Sequence, residues 1–206
     1  MTLSCSYLSS DDKEKTINIL NKTNIDYIHL DIMDNEFVNN ETLDFNTLRN
    51  YFYNNKKKLD IHLMVNNVKL YTDIYSLLKP EYITFHIEVG NTLELINYIK
   101  NKRIKVGLAI NPNTSIESLK PFIDKIDLIL IMSVQPGKGG QEFIENTLEK
   151  VKEIRKNNKD INISIDGGMN NITIQKAKEA GISMCVVGSY ITNNNMIDKI
   201  NEIKDI

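Results

Sequence analysis

Histidine and aspartate residues recur where short apolar segments of this sequence end. His29 and Asp31 lie in one such segment, His62 lies in the next, and Asp166 ends a much later one. Because His29 and Asp31 are two residues apart, they point to the same face if the segment is a strand. Two imidazoles and two carboxylates are a suitable ligand set for Zn²⁺, and also for Mn²⁺, Fe²⁺ or Co²⁺. The four residues therefore predict one divalent-metal site, provided that their strands end at one mouth.

Each of these residues has an ordinary structural explanation when it is taken alone. A histidine at a strand end is usually a hydrogen-bonded structural residue, and an aspartate before two glycines usually forms a turn. The occurrence of four such residues at the ends of three strands is what favours the metal site. His86, the remaining histidine, has no same-face acidic neighbour except Glu88, and we interpret it as structural.

Glycine-rich turns form a second group of candidate residues. The turn Gly137-Lys138-Gly139-Gly140 follows the sixth apolar segment, and the pairs Gly167-Gly168 and Gly188-Ser189 follow the seventh and eighth. Glycine lets backbone N–H groups approach an anion closely. Phosphate sites in α/β barrels commonly use the loops after strands seven and eight. These turns therefore predict a phosphate site, and Pro136 with its glycines resembles the hinge of a lid.

Three methionines end the same segments as the candidate ligands. They are Met33, Met64 and Met132. Core packing is the usual role of methionine, but at the mouth of a barrel these side chains would give a developing enolate a polarizable, dry lining.

The elements that would position these residues alternate along the whole chain. Eight short runs rich in Ile, Val, Leu and Tyr are separated by longer polar segments with apolar residues at helical spacing. This order predicts an α/β fold with a parallel sheet, closed as one TIM (β/α)8 barrel domain over residues 1–206. An open doubly wound sheet is the alternative, but it normally has a glycine-rich turn after the first strand, where this chain has Ser9–Asp12. The predicted strands are Leu3–Leu8, Tyr27–Met33, Leu59–Met64, Tyr82–Ile87, Lys105–Ile110, Leu128–Val134, Asn162–Asp166 and Met184–Gly188.

The polar segments also contain recognisable helix ends. The stretches Ser9–Asp12 and Asn113–Ser115 resemble helix N-caps. Gly181, which follows a pair of spaced alanines, resembles a C-cap before the eighth strand.

Composition excludes several other classes of protein. Of the 206 residues, 41% are hydrophobic and the net charge is −2, so the chain has material for a core and no basic surface for nucleic acid. No apolar run is long enough to span a membrane, and the N-terminus has no secretory signal. Cys5 and Cys185 are isolated in strand-like segments, which predicts two buried, reduced thiols and a cytoplasmic protein. The oligomeric state stays open, a homo-oligomer included.

Several stretches together resemble the signatures of ribulose-phosphate 3-epimerases. The resemblance runs in order from residue 3 to about residue 191. Its motifs are His29–Asp34, Asp60–Met64, Ile131–Gln141 and Asp166–Gly168, with Ser4–Ser9 similar to the first strand of the family and Val187–Ser189 similar to its last.

The resemblance implies a barrel of the ribulose-phosphate-binding type and an enzyme of the pentose phosphate pathway. It implies a divalent metal, Zn²⁺ first and Fe²⁺, Mn²⁺ or Co²⁺ as alternatives, held by His29, Asp31, His62 and Asp166. It also implies that Asp31 and Asp166 are the proton-transfer pair. Contacts with a phosphosugar substrate are implied for Ser6, His62, Gly137, Lys138, Gly139, Gly140, Asp166, Gly167, Gly168, Gly188 and Ser189.

Inversion of a carbon next to a ketone is compatible with these residues. A hydrogen must leave one face of that carbon and another must return on the opposite face, and each carboxylate can act as base in one direction and as acid in the other. A carboxylate is a weak base for a carbon acid, so the enediolate needs strong stabilisation, which a cation can supply.

Three positions depart from the pattern of the family. Cys5 stands where proline is usual, Asn35 where glycine is usual, and Lys138 where phenylalanine is usual in the lid. Asn tolerates positive φ better than most residues, so the turn at Asn35 is expected to survive. We expect Lys138 either to weaken an apolar cover or to reach the phosphate.

Three alternative functions follow from the same motifs. Epimerisation of allulose 6-phosphate would need only that the same site accept a longer sugar. A decarboxylase on a similar barrel would need a lysine two residues after an aspartate, and this chain has His62 at that position in the third strand. A non-catalytic phosphosugar-binding barrel would be expected to lose a ligand or a carboxylate, and all four are present.

Overall fold

The computed structural model describes residues 1–206 and contains eight strands and eight α-helices. The strands are β1 (Thr2–Ser6), β2 (Tyr27–Met33), β3 (Lys58–Met64), β4 (Tyr82–His86), β5 (Lys105–Ile110), β6 (Leu128–Met132), β7 (Asn162–Asp166) and β8 (Met184–Val187). The helices are α1 (Lys13–Leu20), α2 (Phe45–Tyr51), α3 (Val68–Tyr75), α4 (Thr92–Asn101), α5 (Thr147–Asn157), α6 (Asn171–Ala180), α7 (Ser189–Thr192) and α8 (Met196–Lys204).

The strands form a closed parallel barrel in chain order. Each strand pairs with the next, and β1 pairs with β8 to close the ring. This is the predicted (β/α)8 barrel, and the open doubly wound sheet is wrong. Because all strands run in the same direction, their C-terminal ends meet at one mouth of the barrel.

The main hydrophobic core lies between the strands and the helices around them. Ile28, Leu30 and Ile32 of β2 are fully buried and belong to the same apolar cluster as the inner face of α1. Successive strand residues point to opposite faces, so His29 and Asp31 point into the barrel. The apolar half of the strand therefore anchors it, while the other half carries polar side chains inwards.

Four side chains from alternate strands fill the N-terminal end of the barrel interior. Tyr27, Tyr82, Leu128 and Met184 pack together at the first or second positions of the even-numbered strands. Layers from alternate strands are the usual filling of this fold. The polar interior residues lie above this layer, towards the C-terminal mouth.

One of the seven connections between successive strands lacks an α-helix, which corrects the prediction of a helix in every unit. Between β5 and β6 the chain forms two short 3₁₀ segments, Ile116–Leu119 and Ile123–Lys125. Pro121 lies between them, and because proline cannot donate a backbone hydrogen bond it interrupts a continuous helix. The helix start predicted at Asn113–Ser115 is found as the start of the first 3₁₀ segment, which Ser115 caps.

The other predicted boundaries agree with the structure to within a few residues. Asp12 caps α1, and Gly181 ends α6 with a left-handed φ of +105°. The first strand ends at Ser6 because the N–H of Ser10 donates to the carbonyl of Tyr7 in a turn. Asn35 has a φ of +58°, so the turn that normally uses glycine survives with asparagine.

Two further observations concern the cysteines and the helices. Cys5 and Cys185 are free and buried, as predicted. None of the helices combines the length and the apolar character needed to cross a bilayer.

Candidate active site

Four predicted ligands converge at the C-terminal mouth. One ligand atom from each of His29, Asp31, His62 and Asp166 lies within 4.8 Å of the others. The Oδ1 atom of Asp31 is 3.2 Å from His29 Nε2 and 3.3 Å from His62 Nδ1. The Oδ2 atom of Asp166 lies 3.8 Å from each of the same two nitrogens. The two imidazoles and two carboxylates therefore surround one point.

Asp60 holds the imidazole of His29 from behind. The Nδ1–H of His29 donates to Asp60 Oδ2 at 2.7 Å, and Ser4 Oγ donates to the same oxygen at 3.0 Å. The Asp60 side chain is 1% exposed, and its Oδ1 has no hydrogen-bond partner. Metal-binding histidines commonly donate their second nitrogen to a carboxylate in this way, which leaves the first nitrogen free to bind. No role was predicted for Asp60 from the sequence.

Ser6 holds the carboxylate of Asp31. The Ser6 hydroxyl donates to Asp31 Oδ2 at 2.8 Å and accepts from the backbone N–H of Leu8 at 3.2 Å. Both side chains are buried. Asp31 thus presents Oδ1 to the histidines while its other oxygen is fixed by β1.

His62 is held from behind by the histidine that the sequence analysis interpreted as structural. His62 Nε2 lies 2.9 Å from His86 Nε2, and His86 Nδ1 lies 3.2 Å from Glu88 Oε2. Both rings are fully buried, whereas the side chain of Glu88 is 23% exposed. The pairing of β3 with β4 brings the rings together, and this cross-strand register is not visible from spacing along the chain.

The two aspartates of the cluster have opposite pKa shifts. Burial, together with the nearby charge of Asp31, raises the pKa of Asp166 to about 7. Burial also opposes ionisation of Asp31, but the charge of His29 and the hydrogen bond from it outweigh that effect and hold the pKa of Asp31 well below the usual range. Near neutral pH Asp31 is therefore ionised, whereas Asp166 keeps its proton more readily than an ordinary carboxyl.

The three histidines also differ in the direction of their pKa shifts. Burial alone would lower the pKa of His29, but the charges of Asp31 and Asp60 reverse this and raise it well above its usual value. Burial lowers the pKa of His62, and it lowers the pKa of His86 to about 4. His62 and His86 are thus neutral near pH 7, and neutral imidazole is the form in which His62 can bind a metal.

The cluster fits a divalent cation. Its donor set of two imidazole nitrogens and two carboxylate oxygens comes from three strands, and Asp60 adds a further carboxyl, fully buried behind His29. Burying several carboxylates together is costly unless positive charge compensates them. An ion of charge +2 at the shared point would provide that compensation.

A cavity opens above the cluster and is lined by the glycine-rich turns. Asp31 and Asp166 lie at its base, and Met64 and Met132 form part of its apolar wall. The predicted substrate contacts on its lining are Ser6, Gly137, Lys138, Gly139, Gly140, Asp166, Gly167, Gly168, Gly188 and Ser189.

Two predicted residues do not reach the cavity wall. His62 is 0% exposed and lies beneath the lining, where it faces the aspartates. Met33 is 2% exposed and is likewise absent from the lining. Conversely, Leu8, Gln135 and Gln141 line the cavity although the sequence analysis gave them no role.

The loop over the cavity is fastened at two points. The side chain of Gln141 donates to the carbonyls of Gln135 and Lys138, so the loop is closed on itself. Asn40, which follows β2, donates to the carbonyl of Gly137 at 2.9 Å and links the loop to the opposite side of the mouth. This arrangement positions the glycine turn above Asp31 and Asp166.

The fold and the cluster define a class: (β/α)8 barrels with a His/Asp centre suited to a metal and glycine turns at the C-terminal mouth. A family model described as the ribulose-phosphate 3 epimerase family matches residues 2–192, and the chain belongs to this family.

Individual relatives agree with this assignment. The chain is 37% identical to ribulose-phosphate 3-epimerase of Helicobacter pylori strain 26695, over 93% of this chain and 90% of the relative. It is 40% identical to ribulose-phosphate 3-epimerase of Escherichia coli K12, over 81% and 76% of the two chains. A solved 3-hexulose-6-phosphate synthase shares the fold with a TM-score of 0.76 at 13% identity, over 100% of this chain and 99% of the other.

Proposed function

We propose that this protein is a metal-dependent epimerase that interconverts D-ribulose 5-phosphate and D-xylulose 5-phosphate by inverting carbon 3. One observation carries the proposal: Asp31 and Asp166 face the same cavity from strands β2 and β7, with opposite pKa shifts. Pairs of acids whose surroundings separate their pKa values commonly divide the acid and base roles between them.

The proton transfers are assigned to these two side chains. In one direction the ionised carboxylate of Asp31 takes the hydrogen of carbon 3 as a proton, and the electron pair left behind moves onto the carbonyl oxygen at carbon 2. The protonated carboxyl of Asp166 then returns a proton to the opposite face of carbon 3. In the reverse direction the two side chains exchange roles.

His29, Asp31, His62 and Asp166 would hold the cation, for which we propose Zn²⁺, with Fe²⁺, Mn²⁺ or Co²⁺ as alternatives. When bound, the cation would supply electrostatic stabilisation of the negative charge that develops on the substrate oxygens. Asp60 and Ser6 keep the ligand atoms of His29 and Asp31 turned towards the site. Met64 and Met132 exclude water from one side of it.

The glycine turns are proposed to bind the phosphate of the substrate. Gly167 and Gly168 adopt positive φ values of +118° and +63°, and both line the cavity with Gly188 and Ser189. Such turns present backbone N–H groups to an anion. Fixing the phosphate at one end of the sugar would hold carbon 3 between the two aspartates.

Turnover of defined sugar phosphates tests the proposal. The purified protein is assayed with ribulose 5-phosphate and, in parallel, allulose 6-phosphate, after its metal content has been measured. The proposal predicts bound divalent metal and a higher kcat/KM for the pentulose. A higher kcat/KM for the hexulose would reassign the substrate, and metal-free protein without turnover of either sugar would overturn the proposal in favour of a non-catalytic phosphosugar-binding barrel. Separate experiments would locate the protein in the cytoplasm and determine its oligomeric state.

A further inference from the structure

A line of hydrogen-bonded groups leads from His62 to the surface. His62 Nδ1 faces the aspartates, and His62 Nε2 lies 2.9 Å from His86 Nε2. The planes of the two rings are inclined at 28° with centroids 5.0 Å apart, and the 2.9 Å between the two Nε2 atoms is a hydrogen-bond distance. The other nitrogen of His86 meets Glu88, whose second oxygen accepts from the backbone N–H of Asn111 and from the hydroxyl of Thr114.

The position of one proton on each ring follows from this order. An ionised carboxylate can only accept, so the ring nitrogen of His86 that faces Glu88 carries the proton. His86 Nε2 is then an acceptor, and the proton that occupies the contact with His62 belongs to His62 Nε2. Two neutral rings carry two protons for three contacts, and the contact left without a proton is the longest, the 3.3 Å between His62 Nδ1 and Asp31 Oδ1. His62 Nδ1 therefore presents a lone pair to the cluster, where a cation would lie between it and the carboxylate.

We infer that Glu88 and His86 are positioning residues that hold His62 in the tautomer able to bind the metal. The inference rests on the proposed function, because it presumes that His62 Nδ1 is a ligand. It concerns where a single proton sits on each neutral ring and requires no change of charge. Asp60 holds His29 in the same way by direct contact, so each ligand histidine has its own carboxylate partner, Asp60 directly and Glu88 through a second ring.

Substitution of Glu88 by glutamine is expected to move the proton of each ring, His86 and His62, to the other ring nitrogen. In wild type, the Asn111 N–H and the Thr114 hydroxyl donate to Glu88 Oε1. The glutamine preserves both hydrogen bonds if its carbonyl oxygen takes the position of Oε1. Its NH₂ group then faces His86 Nδ1, which must become an acceptor. The proton of His86 moves to Nε2, His62 must accept there, and the proton of His62 moves to Nδ1, where it blocks the metal-binding lone pair.

Nitrogen NMR of the metal-free protein tests the inference without any assay of activity. The chain has three histidines, so long-range ¹H–¹⁵N spectra can be assigned by single substitutions. In wild type, we expect protons on His62 Nε2 and His86 Nδ1. In Glu88→Gln, both are expected to move to the other nitrogen of their ring. A wild-type spectrum with the proton on His62 Nδ1 overturns the inference by itself, even if the variant does not fold.

Metal affinity provides the second measurement, with Zn²⁺ alone as the probe. Glu88→Gln is expected to bind Zn²⁺ about 10- to 100-fold more weakly than wild type in a chelator competition, as is typical for loss of an outer-shell partner. Glu81→Gln is the matched control, because the Glu81 side chain is 24% exposed, pairs with Lys58 and Lys105, and lies at the other end of the barrel. The control is expected to bind Zn²⁺ as wild type does.

The outcomes separate this inference from the proposed function. If wild type binds no Zn²⁺ and epimerises no sugar, the proposed function fails and the inference fails with it. If wild type binds Zn²⁺ and epimerises, while Glu88→Gln keeps the wild-type tautomers and an affinity equal to that of Glu81→Gln, only the role of Glu88 and His86 is lost.

Discussion

Asp31 and Asp166 are chemically identical side chains in unlike surroundings. Asp31 receives a hydrogen bond from Ser6 and lies 3.2 Å from His29, whose positive charge favours the ionised form of Asp31. The Asp166 side chain is mostly buried, with 18% of it exposed, and lies beside the charge of Asp31 with its nearest imidazole nitrogens 3.8 Å away, which favours its protonated form. The difference between the two sites is therefore set by burial and by neighbouring charges, that of Asp31 included.

The raised pKa of Asp166 predicts how the stability of the metal-free protein depends on pH. A carboxyl with a raised folded-state pKa favours folding fully only below its unfolded pKa, near 4, and this contribution is lost as pH rises through about 7. At pH 8 the metal-free Asp166→Asn variant is therefore expected to be more stable than wild type, by roughly 2–4 kcal/mol. Urea unfolding in the presence of a chelator measures this difference.

The pH dependence of the stability difference provides a control for this prediction. Towards pH 4 the gain in Asp166→Asn is expected to vanish, because the wild-type carboxyl is then protonated. Asp31→Asn is expected to have the opposite sign at neutral pH, since the lowered pKa of Asp31 stabilises the fold above its unfolded pKa. An Asp166→Asn protein that is less stable than wild type at pH 8 would contradict the assignment.

Spacing along the chain could predict some of these residues and not others. His29 and Asp31 share a face because strand side chains alternate, so their proximity follows from sequence alone. Asp60 has the same two-residue spacing from His62 and could have been assigned on that basis. The contact between His62 and His86 depends on how β3 and β4 pair, and the sequence carries no direct signal of that register.

At the scale of elements, the turn after β7 is the most constrained part of the mouth. Gly168 has a φ of +63°, and a Cβ atom there would lie 2.5 Å from the backbone nitrogen of Phe143. Backbone cannot move aside as a flexible side chain can, so Gly168→Ala is expected to displace the turn. We predict a KM for ribulose 5-phosphate raised about tenfold or more, equivalent to about 1.4 kcal/mol of lost binding.

Gly181→Ala is the control for backbone strain. Gly181 has a φ of +105° and ends α6, away from the cavity, where an added Cβ would meet the side chain of Arg155. This variant is expected to lose stability, by about 1 kcal/mol or more, without a change in KM. Equal KM values for Gly168→Ala and wild type would show that this turn does not bind the phosphate.

Lys138, in the loop over the cavity, stands where phenylalanine is usual in the family. Lys138 is exposed at the rim of the cavity, and the hydrogen bond from Gln141 to its carbonyl fixes its backbone. We predict that its ammonium contacts the substrate phosphate, so Lys138→Phe should raise KM with little change in kcat. Kinetics at two salt concentrations measure this, because a charge contact weakens as salt rises. An unchanged KM would leave Lys138 without a role in binding.

The elements themselves were largely predictable because two periodicities alternate along the chain. Segments such as Tyr27–Met33 and Asn162–Asp166 are found with the expected bounds. The connection between β5 and β6 was predicted as a helix because its first residues resemble an N-cap. Pro121 then prevents a regular helix, and a short segment of this kind gives too little periodicity to reveal the difference.

At the scale of the whole molecule, the candidate ligands tie together distant parts of the barrel. His29 and Asp31 lie on β2, His62 on β3 and Asp166 on β7, and β8 and β1 separate β7 from β2 around the ring. A bound cation should therefore stabilise the entire barrel. At a free Zn²⁺ concentration 100 times the Kd, the expected gain is about 2.7 kcal/mol.

Thermal unfolding with and without a chelator measures this linkage. We expect Tm to rise with Zn²⁺ concentration in wild type and to fall on chelation. Asp166→Asn, which loses one candidate ligand, should show a smaller rise. A Tm that does not respond to any divalent metal in wild type would be incompatible with a centre built from three strands.

The barrel alone does not determine the reaction. A 3-hexulose-6-phosphate synthase shares the fold at 13% identity, so the fold by itself does not distinguish the two proteins. In this chain those residues include two histidines and two aspartates around one point. The proposed chemistry therefore depends on the arrangement of these side chains and not on the fold alone.

The most direct test of the two-aspartate mechanism follows the hydrogen at carbon 3 of ribulose 5-phosphate in deuterated water. Wild type is expected to form xylulose 5-phosphate with deuterium at carbon 3. Asp31→Asn and Asp166→Asn should each lose this conversion by roughly 10²- to 10⁴-fold, since each removes the acid or base on one face. Asp127→Asn, at the other end of the barrel where Asp127 accepts from the Val106 N–H, should react as wild type does. Deuterated, inverted product formed at the wild-type rate by either Asp31→Asn or Asp166→Asn would contradict the mechanism.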